Sequence, residues 1–441
     1  MTASGPSTPQ TKLGGYDFFR KVLGSPKYVV APMVDQSELA WRKLSRKYGA
    51  QLIYTPMINA RMFAQDQRKS YRTEMFDIAS GEEGGPEDRP LIVQFAANDP
   101  DFLLKAAQVV EAHCDAVDIN LGCPQDIARR GHYGSYLQDE WDLIYKMINN
   151  LHKNLSIPVT AKFRVFPTVE KTVEYAKMLE SAGAQILTCH GRTREQRGHN
   201  TGLADWEKIR AVKEAVSVPV IANGNILFHS DIEACLAATG ADAVMSAEGN
   251  LYNPAIFMPA ASSSSSLVEP ALPSTWCMSS DGGLHLPHTR LALEYLAIVK
   301  SLKTRTKGSA VKGHLFKLLR PALGRETDLR DRLSRVQVRR IGDAAAWEQY
   351  EAIVRELDER MQRDAKAAED RPSDELITIH EPTGLKLLPH WVAQPYFRAA
   401  AKVAAEAEAN EEKAEDVVAQ GGEPRCAPGM LISDSQKVMI D

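Results

Sequence analysis

The sequence lacks any cysteine pattern that would define a metal site or a disulfide framework. Its six cysteines are scattered along 441 residues, and none of them shows the close paired spacing that zinc sites use. Scattered cysteines favour a reducing compartment. We therefore expect a protein without bound metal that resides in the cytoplasm, with the nucleus as an additional location left open.

Long apolar runs are also missing. The first ten residues are rich in Ser, Thr and Pro and contain no apolar signal core. No uninterrupted apolar stretch approaches the roughly 20 residues that span a bilayer. We therefore predict a soluble protein with no membrane partner. The net charge of -4 identifies no partner by itself, because it can hide opposing local patches.

The chain does contain a regular alternation of short apolar runs and amphipathic stretches. The apolar runs are residues 28–31, 51–54, 91–95, 116–119, 159–164, 186–189, 218–222 and 243–246. The helix candidates between them are residues 37–48, 100–112, 140–154, 169–182, 205–215 and 230–238. Eight strands with crossover helices predict an α/β protein with a (β/α)8 TIM barrel. A doubly wound open sheet is the alternative, but Pro32 and Met33 stand where its glycine-rich fingerprint would follow the first strand.

Polar residues follow the predicted strands, where a barrel places its functional side chains. In chain order they are Asp35, Thr55, Gln94, Asn120, Cys123, Lys162, Arg164, His190, Arg192, Asn223, Gly224, Glu248, Gly249 and Asn250. Each position alone is weak, because an Asn or Lys at a strand end is commonly a solvated turn residue. Because all of them follow the C-terminal ends of predicted strands, together they predict a functional site at the mouth of the barrel.

Cys123 is the most informative of these residues. It lies between Gly122 and Pro124 on the loop directly beyond the fourth strand, where a thiol is both positioned and accessible. Most isolated cysteines are small buried hydrophobes, but this one lies outside the apolar run. It therefore indicates chemistry, as a nucleophile, a ligand, a base or an acid.

The turns after strands seven and eight suggest a phosphate site. Gly224 and Gly249 lie where barrels often bind a phosphate through backbone N–H groups. Two ordinary turns would also explain these glycines. Lys162 and His190, on neighbouring strands, favour an anionic or electron-rich cofactor over the mouth.

Together these residues resemble the flavin-dependent tRNA-dihydrouridine synthases. The resemblance covers residues 28–257 and rests on six motifs in the family's order: Ala31-Pro32-Met33, Gln94, Asn120-Leu121-Gly122-Cys123-Pro124, Lys162-Phe163-Arg164, His190-Gly191-Arg192-Thr193 and Asn223-Gly224-Asn225-Ile226. Residues 131–134, 194–202 and 246–253 most resemble the eukaryotic enzymes that act at positions 16 and 17 of the tRNA D-loop.

The resemblance implies reduction of the C5=C6 bond of uridine by bound FMN, with NADPH as the reductant. Cys123 would be the general acid that protonates C5, since a thiol with a pKa of about 8.5 is protonated at neutral pH. The residues implied to contact FMN are Pro32, Met33, Gln94, Lys162, His190, Asn223, Gly224, Asn225, Ala247, Glu248 and Gly249. Asn120, Arg164 and Arg192 are implied to contact the substrate.

A basic segment follows the barrel. Residues 289–340 contain 14 Lys and Arg against four acidic residues, although the whole chain is acidic. This excess predicts attraction of RNA phosphates, with Lys303, Arg305 and Lys307 as substrate contacts; a solvated helical face is the simpler alternative. Apolar periodicity at residues 291–302, 315–319 and 347–361 predicts a helical bundle, which the resemblance identifies with a tRNA-binding domain.

We therefore predict five segments and expect a monomer. They are a flexible N-terminus (residues 1–24), an FMN-binding barrel (25–258), a low-complexity linker (259–285), a helical tRNA-binding domain (286–368) and a peripheral, partly disordered tail (369–441).

Three other functions stay open at this point. One is a flavin-dependent dehydrogenase of free pyrimidines, of the dihydroorotate or dihydropyrimidine type, against which the basic segment argues. Another is an RNA-binding protein without turnover. The third is an aldolase that forms a Schiff base through Lys162.

Overall fold

The computed structural model describes residues 12–198, 201–260, 276–381 and 384–396. Its centre is a barrel of parallel strands. The strands are β1 (Tyr28–Val30), β2 (Leu52–Tyr54), β3 (Ile58–Asn59), β4 (Leu91–Ala96), β5 (Ala116–Leu121), β6 (Val159–Arg164), β7 (Leu187–His190), β8 (Val220–Asn223) and β9 (Ala243–Ser246). β2 pairs with both β1 and β4 and so closes eight strands into a ring, while β3 extends the edge of β4. The predicted TIM barrel is confirmed.

The strands form where the sequence predicts them because both of their faces are covered. Every residue of β4 and β5 is buried, as parallel strands between a packed interior and outer helices require. Each of the eight predicted apolar runs overlaps one barrel strand, and four of these strands extend one or two residues past the run. The C-terminal ends of these strands all lie at one face, which we call the barrel mouth.

Helices surround the barrel between the strands. They are α1 (Gly15–Lys21), α2 (Leu39–Lys47), α3 (Ala60–Gln65), α4 (Ser70–Met75), α5 (Pro100–Val110), α6 (Asp126–Gly131), α7 (Trp141–Asn154), α8 (Val169–Ala182), α9 (Trp206–Ala215), α10 (Ser230–Thr239) and α11 (Glu248–Tyr252). Side-chain caps fix several starts: Asp99 accepts the N–H groups of Asp101 and Phe102 before α5, and Thr168 accepts that of Lys171 before α8. The predicted helices therefore begin within two residues of their observed starts.

A helical segment follows the barrel. Its helices are α12 (His288–Ser301), α13 (Gly308–Leu318), α14 (Arg320–Leu323), α15 (Thr327–Arg335) and α16 (Ala344–Ala367). It packs against α2 through a buried polar cluster. Tyr295 Oη donates to Glu38 Oε1 at 2.7 Å, His314 Nε2 lies 3.0 Å from Glu38 Oε2, and the His314 ring stacks on Trp41.

Two predicted irregular segments contain ordered structure. Within the predicted N-terminus of residues 1–24, α1 buries Phe18 and Phe19 against the barrel. Within the predicted linker, residues 261–275 lie outside the described residues. The following residues form an antiparallel hairpin, β10 (Met278–Ser280) and β11 (Gly283–His285), and Leu284 N–H donates to Met258 O.

The described part of the predicted tail also packs on the fold. β12 (Thr378–His380) and β13 (Leu385–Leu387) form a second hairpin. Beyond it Val392 and Ala393 are buried, and Ala393 N–H donates to Leu286 O at 2.8 Å. Residues 397–441, including the acidic stretch, lie outside the described residues. No helix in the described ranges is long and apolar enough to cross a membrane.

Candidate active site at the barrel mouth

The loop that carries Cys123 is held from both sides. The N–H groups of Gly122 and Cys123 donate to Asn120 Oδ1, at 3.1 and 2.8 Å. The Cys123 carbonyl accepts from the N–H and the hydroxyl of Ser135, at 3.1 and 2.9 Å. Gly134 has φ +65°, and a Cβ there would lie 2.7 Å from Cys123 O, so this approach requires glycine. The partly exposed Cys123 is thus fixed by its backbone at the mouth.

Lys162 lies beside this loop on the neighbouring strand. Its Nζ donates to Asn223 Oδ1 at 2.9 Å, and Asn223 Nδ2 donates to Met245 O at 2.9 Å. Burial, reinforced by the positive charge of Arg164, lowers the pKa of Lys162 to about 8. Near neutral pH the ammonium is therefore charged but poorly solvated, which favours an anionic or electron-rich ligand.

His190 ends the next strand, β7, and Arg192 follows it on the loop beyond. Burial, followed by the charges of Arg164, Lys162 and Arg192, lowers the pKa of His190 well below its usual value, so the imidazole is neutral. Arg192 Nη1 lies 3.2 Å from His190 Nε2, which accepts from it. Arg192 also donates to Asn225 Oδ1 at 2.6 Å and to Gly202 O at 3.1 Å.

Arg164, predicted to contact substrate, donates three hydrogen bonds to backbone carbonyls. It ends β6 and is 5% exposed. Its Nε donates to Gly122 O, and its Nη1 donates to Thr193 O and Gln196 O, each at 2.9 Å. It therefore joins the loop of Cys123 to the loop after β7.

The remaining predicted cofactor contacts border the same mouth. Gly224 has φ +114°, and a Cβ there would lie 2.6 Å from Ala204 Cβ. Gly249 is also closely packed, because a Cβ would overlap Ile226 O. Pro32 and Met33 follow β1, and Ala247 and Glu248 follow the adjoining β9. A neutral His, a poorly solvated Lys and two tight glycine turns fit the phosphate and ring of a flavin.

Two strand-end residues make their contacts away from the mouth. Asn250 Oδ1 is fully buried and accepts from Trp41 Nε1 at 2.8 Å, so it fastens α2. Thr55 Oγ1 is buried too and accepts from Gln94 N–H at 3.1 Å.

Sequence reasoning missed a polar layer inside the barrel. Asp118 and Thr160 lie within apolar runs and are both fully buried, with Thr160 Oγ1 donating to Asp118 Oδ1 at 2.6 Å. Gln94 Nε2 donates to Asp118 Oδ2 at 2.8 Å. A carboxylate in the middle of an apolar strand was the available signal, because such a group needs buried donors. Among the described residues no cluster of three metal-ligating side chains occurs.

The predicted RNA contacts differ in their surroundings. Lys303 and Arg305 are exposed and form no ion pair with a described acidic residue. Lys307 is half-buried, 2.9 Å from Glu74 Oε1 and 3.6 Å from Asp35 Oδ1. Arg335, Arg339 and Arg340 are exposed as well. Lys307 thus ties the helical segment to the barrel, and the other cations remain available to an anionic partner.

The fold and this site define a class of protein. Residues 29–355 match the profile of the family described as Dihydrouridine synthase (Dus), and the chain belongs to that family, whose members are flavin-dependent. The family predicted from the motifs is confirmed.

Individual relatives define the likeness further. The chain is 46% identical over 394 residues to the tRNA-dihydrouridine(16/17) synthase of Saccharomyces cerevisiae, covering 88% of this chain and 87% of that protein. It is 46% identical over 391 residues to a Mus musculus protein named tRNA-dihydrouridine(16/17) synthase-like, covering 88% and 71%. A Homo sapiens protein named tRNA-dihydrouridine(20a/20b) synthase-like is 39% identical over 232 residues, covering 52% and 70%. The predicted likeness to the 16/17 subgroup is confirmed.

Proposed function

We propose that this chain reduces uridines 16 and 17 of the tRNA D-loop to dihydrouridine, with bound FMN and with NADPH as the reductant. The observation that carries the proposal is the partly exposed Cys123 at the barrel mouth, directly beyond β5, whose Asn120 pairs with Lys162 on the adjacent strand. The identity to 16/17 synthases across both the barrel and the helical segment supports the choice of substrate.

The proposed division of chemistry is simple. Bound FMN supplies the hydride that is added to C6 of the uracil. Cys123 holds the proton that is delivered to C5, and its fixed backbone keeps the thiol in place. Lys162, His190 and Asn223 bind the flavin, while Gly224 and Gly249 allow its close approach. Asn120 and Arg192 orient the uracil, and Arg164 supports the Cys123 loop.

The proposal also assigns the exposed cations of the helical segment to the tRNA backbone. Lys303 and Arg305 are exposed beside the barrel, where they can contact phosphates. A free-pyrimidine dehydrogenase would have no use for this surface. The preference for NADPH, a cytoplasmic location and a monomeric state remain parts of the proposal that rest on the sequence.

A direct experiment tests the whole proposal. The purified protein should carry a yellow flavin and form dihydrouridine at positions 16 and 17 when added to tRNA from cells that lack this activity. Sequencing-based mapping of dihydrouridine gives the position. Absence of both flavin and product would refute the proposal, and reduction of free uracil or orotate without RNA would favour the dehydrogenase.

The affinity for FMN should fall as the pH rises through about 8. Lys162 has a pKa lowered to about 8, so its ammonium is present below that pH and is lost above it. Since a hydrogen bond to a charged group contributes about 1.5–3 kcal/mol, we expect roughly tenfold weaker binding at high pH. Flavin-fluorescence titration of the apoprotein measures this effect.

Two variants make the pH experiment specific. Lys162→Met should bind FMN weakly and with little pH dependence across this range. Lys153→Met removes an exposed lysine at the end of α7 and should retain the wild-type profile. An unchanged pH profile in Lys162→Met would contradict the assignment.

Neutralising Lys303 and Arg305 together should weaken tRNA binding and reduce its salt dependence. Each lost phosphate contact lowers the slope of log K against log salt by roughly 0.7 to 0.9. Filter binding at several salt concentrations measures both quantities. The matched control is Arg20→Gln with Lys21→Gln, which removes two exposed cations from α1. Equal slopes for the two double variants would contradict an RNA contact, and the flavin spectrum should not change in either.

A further inference from the structure

A chain of side-chain hydrogen bonds links the barrel interior to the loop of Cys123. It begins at Asp118 Oδ2, which accepts from Gln94 Nε2 at 2.8 Å. Gln94 Oε1 in turn accepts from Asn120 Nδ2 at 2.8 Å, and Asn120 Oδ1 accepts the N–H groups of Gly122 and Cys123. We call Asp118, Gln94 and Asn120 the amide relay.

The Cys123 end of the amide relay determines its direction. Backbone N–H groups can only donate, so the oxygen of Asn120 must face the Cys123 loop. Asn120 Nδ2 then donates to Gln94 Oε1, so Gln94 Nε2 faces Asp118 and an oxygen of Asp118 accepts from it. The side-chain amides of Gln94 and Asn120 therefore each have one orientation in which every donor faces an acceptor. The relay is also buried, because Asp118 and Gln94 have no exposed surface and Asn120 is 8% exposed.

We propose that Asp118 is a positioning residue for proton delivery by Cys123. Through the amide relay it fixes the orientation of Gln94 and Asn120, and Asn120 in turn fixes the backbone that carries the thiol. The proposal rests on the proposed function, because it assumes that Cys123 acts on uridine. Asp118 itself is fully buried in the barrel interior, so we assign it an action through Gln94 and Asn120.

The surroundings of Asp118 support this role. Its other oxygen accepts from Thr160 Oγ1, so both oxygens are satisfied by neutral donors and no described ion pair explains its presence. Burial raises the pKa of Asp118 to about 7, while the hydrogen bonds from Thr160 and Gln94 and the charge of Lys162 counteract part of that rise. A buried carboxyl of this kind is costly to fold. A leucine would fill the barrel interior without that cost, but it could not orient Gln94.

Asp118→Ala tests the proposal, with Thr160→Val as the matched control. Asp118→Ala removes both hydrogen bonds of the carboxyl, whereas Thr160→Val removes only the one that does not lie on the path to Cys123. A misplacement of about 1 Å can cost roughly 100-fold in rate. We expect Asp118→Ala to slow single-turnover uridine reduction at saturating tRNA by at least about 30-fold, while reduction of the flavin by NADPH stays within about threefold. Thr160→Val should change both rates by less than about threefold.

The reaction of Cys123 with iodoacetamide supplies a readout that does not depend on turnover. Labelling at Cys123 is followed by peptide mass spectrometry in the flavoprotein. We expect the rate to change severalfold in Asp118→Ala and to stay at the wild-type value in Thr160→Val. If wild type forms no dihydrouridine, the proposed function fails, and the labelling rates alone then decide the role of Asp118.

A paired exchange covers the case in which Asp118→Ala does not fold. Gln94→Glu places two carboxylates against each other and removes the donor to Asp118, so it should be strongly impaired. Adding Asp118→Asn restores a hydrogen bond between the two positions, with the amide now donating from residue 118 to the carboxylate at residue 94. We expect at least tenfold recovery of the single-turnover rate relative to Gln94→Glu. The proposal is overturned if the double variant shows no recovery, or if a folded Asp118→Ala retains wild-type turnover and labelling.

Discussion

Replacing Cys123 by alanine is expected to abolish dihydrouridine formation while the flavin stays bound and is still reduced by NADPH. A general acid typically contributes between about 100- and 10,000-fold to a rate, so the loss should lie in that range. The loop itself should survive the change, because the N–H and the carbonyl of residue 123 keep their hydrogen bonds to Asn120 and Ser135 in the variant.

The measurement separates the two half-reactions. Stopped-flow absorbance follows reduction of the flavin by NADPH, and its reoxidation on addition of tRNA follows uridine reduction. Cys235→Ala removes a buried thiol on α10 and is the control, with both rates expected to stay near wild type. Undiminished turnover of Cys123→Ala on tRNA would exclude its role as the acid.

Replacing Arg164 by alanine should both destabilise the protein and impair catalysis. The guanidinium connects Gly122 O with Thr193 O and Gln196 O, so its loss frees two loops at once. Hydrogen bonds from charged groups contribute about 1.5–3 kcal/mol each, and their effects are not fully additive. We therefore expect the free energy of unfolding to fall by about 3 kcal/mol. Turnover should fall at least tenfold, because a displaced loop carries Cys123 with it.

Urea unfolding of the protein without substrate distinguishes support from substrate contact. If Arg164 acts only on uridine, Arg164→Ala should unfold like wild type. Arg164→Lys keeps the charge, but a single ammonium cannot reach both loops, so it should recover little of the stability. The control is Arg210→Ala, which removes an exposed cation paired with Glu214 on α9 and should cost less than about 1 kcal/mol.

The barrel could be predicted from the sequence because its strands are buried on both faces. That burial produces short, largely apolar runs, and the intervals between them leave room for crossover helices. The residues after each run then had a known place at the mouth. The local sequence pattern was therefore sufficient to predict the fold and to place the strand-end residues at the barrel mouth.

Local sequence pattern could not predict which residues contact each other when they are far apart in the chain. Lys307 looked like one of several equivalent cations, and only folding brings it to Glu74 and Asp35, more than 200 residues earlier in the chain. Arg164 was predicted to contact the substrate, and nothing in its sequence surroundings shows that Gly122 O also lies beside it. Asp118 was hidden inside an apolar run, since its donors come from two neighbouring strands.

The cluster of Glu38, Trp41, Tyr295 and His314 has a consequence for protein engineering. Exchanging helical segments between members of the family is an obvious route to changing which uridine is modified. Here Glu38 accepts from Tyr295 and contacts His314, and the His314 ring lies flat on Trp41 at a centroid distance of 3.9 Å. A chimera that imports a foreign helical segment must therefore import matching residues on α2 and the turn before it, or its two parts will not dock.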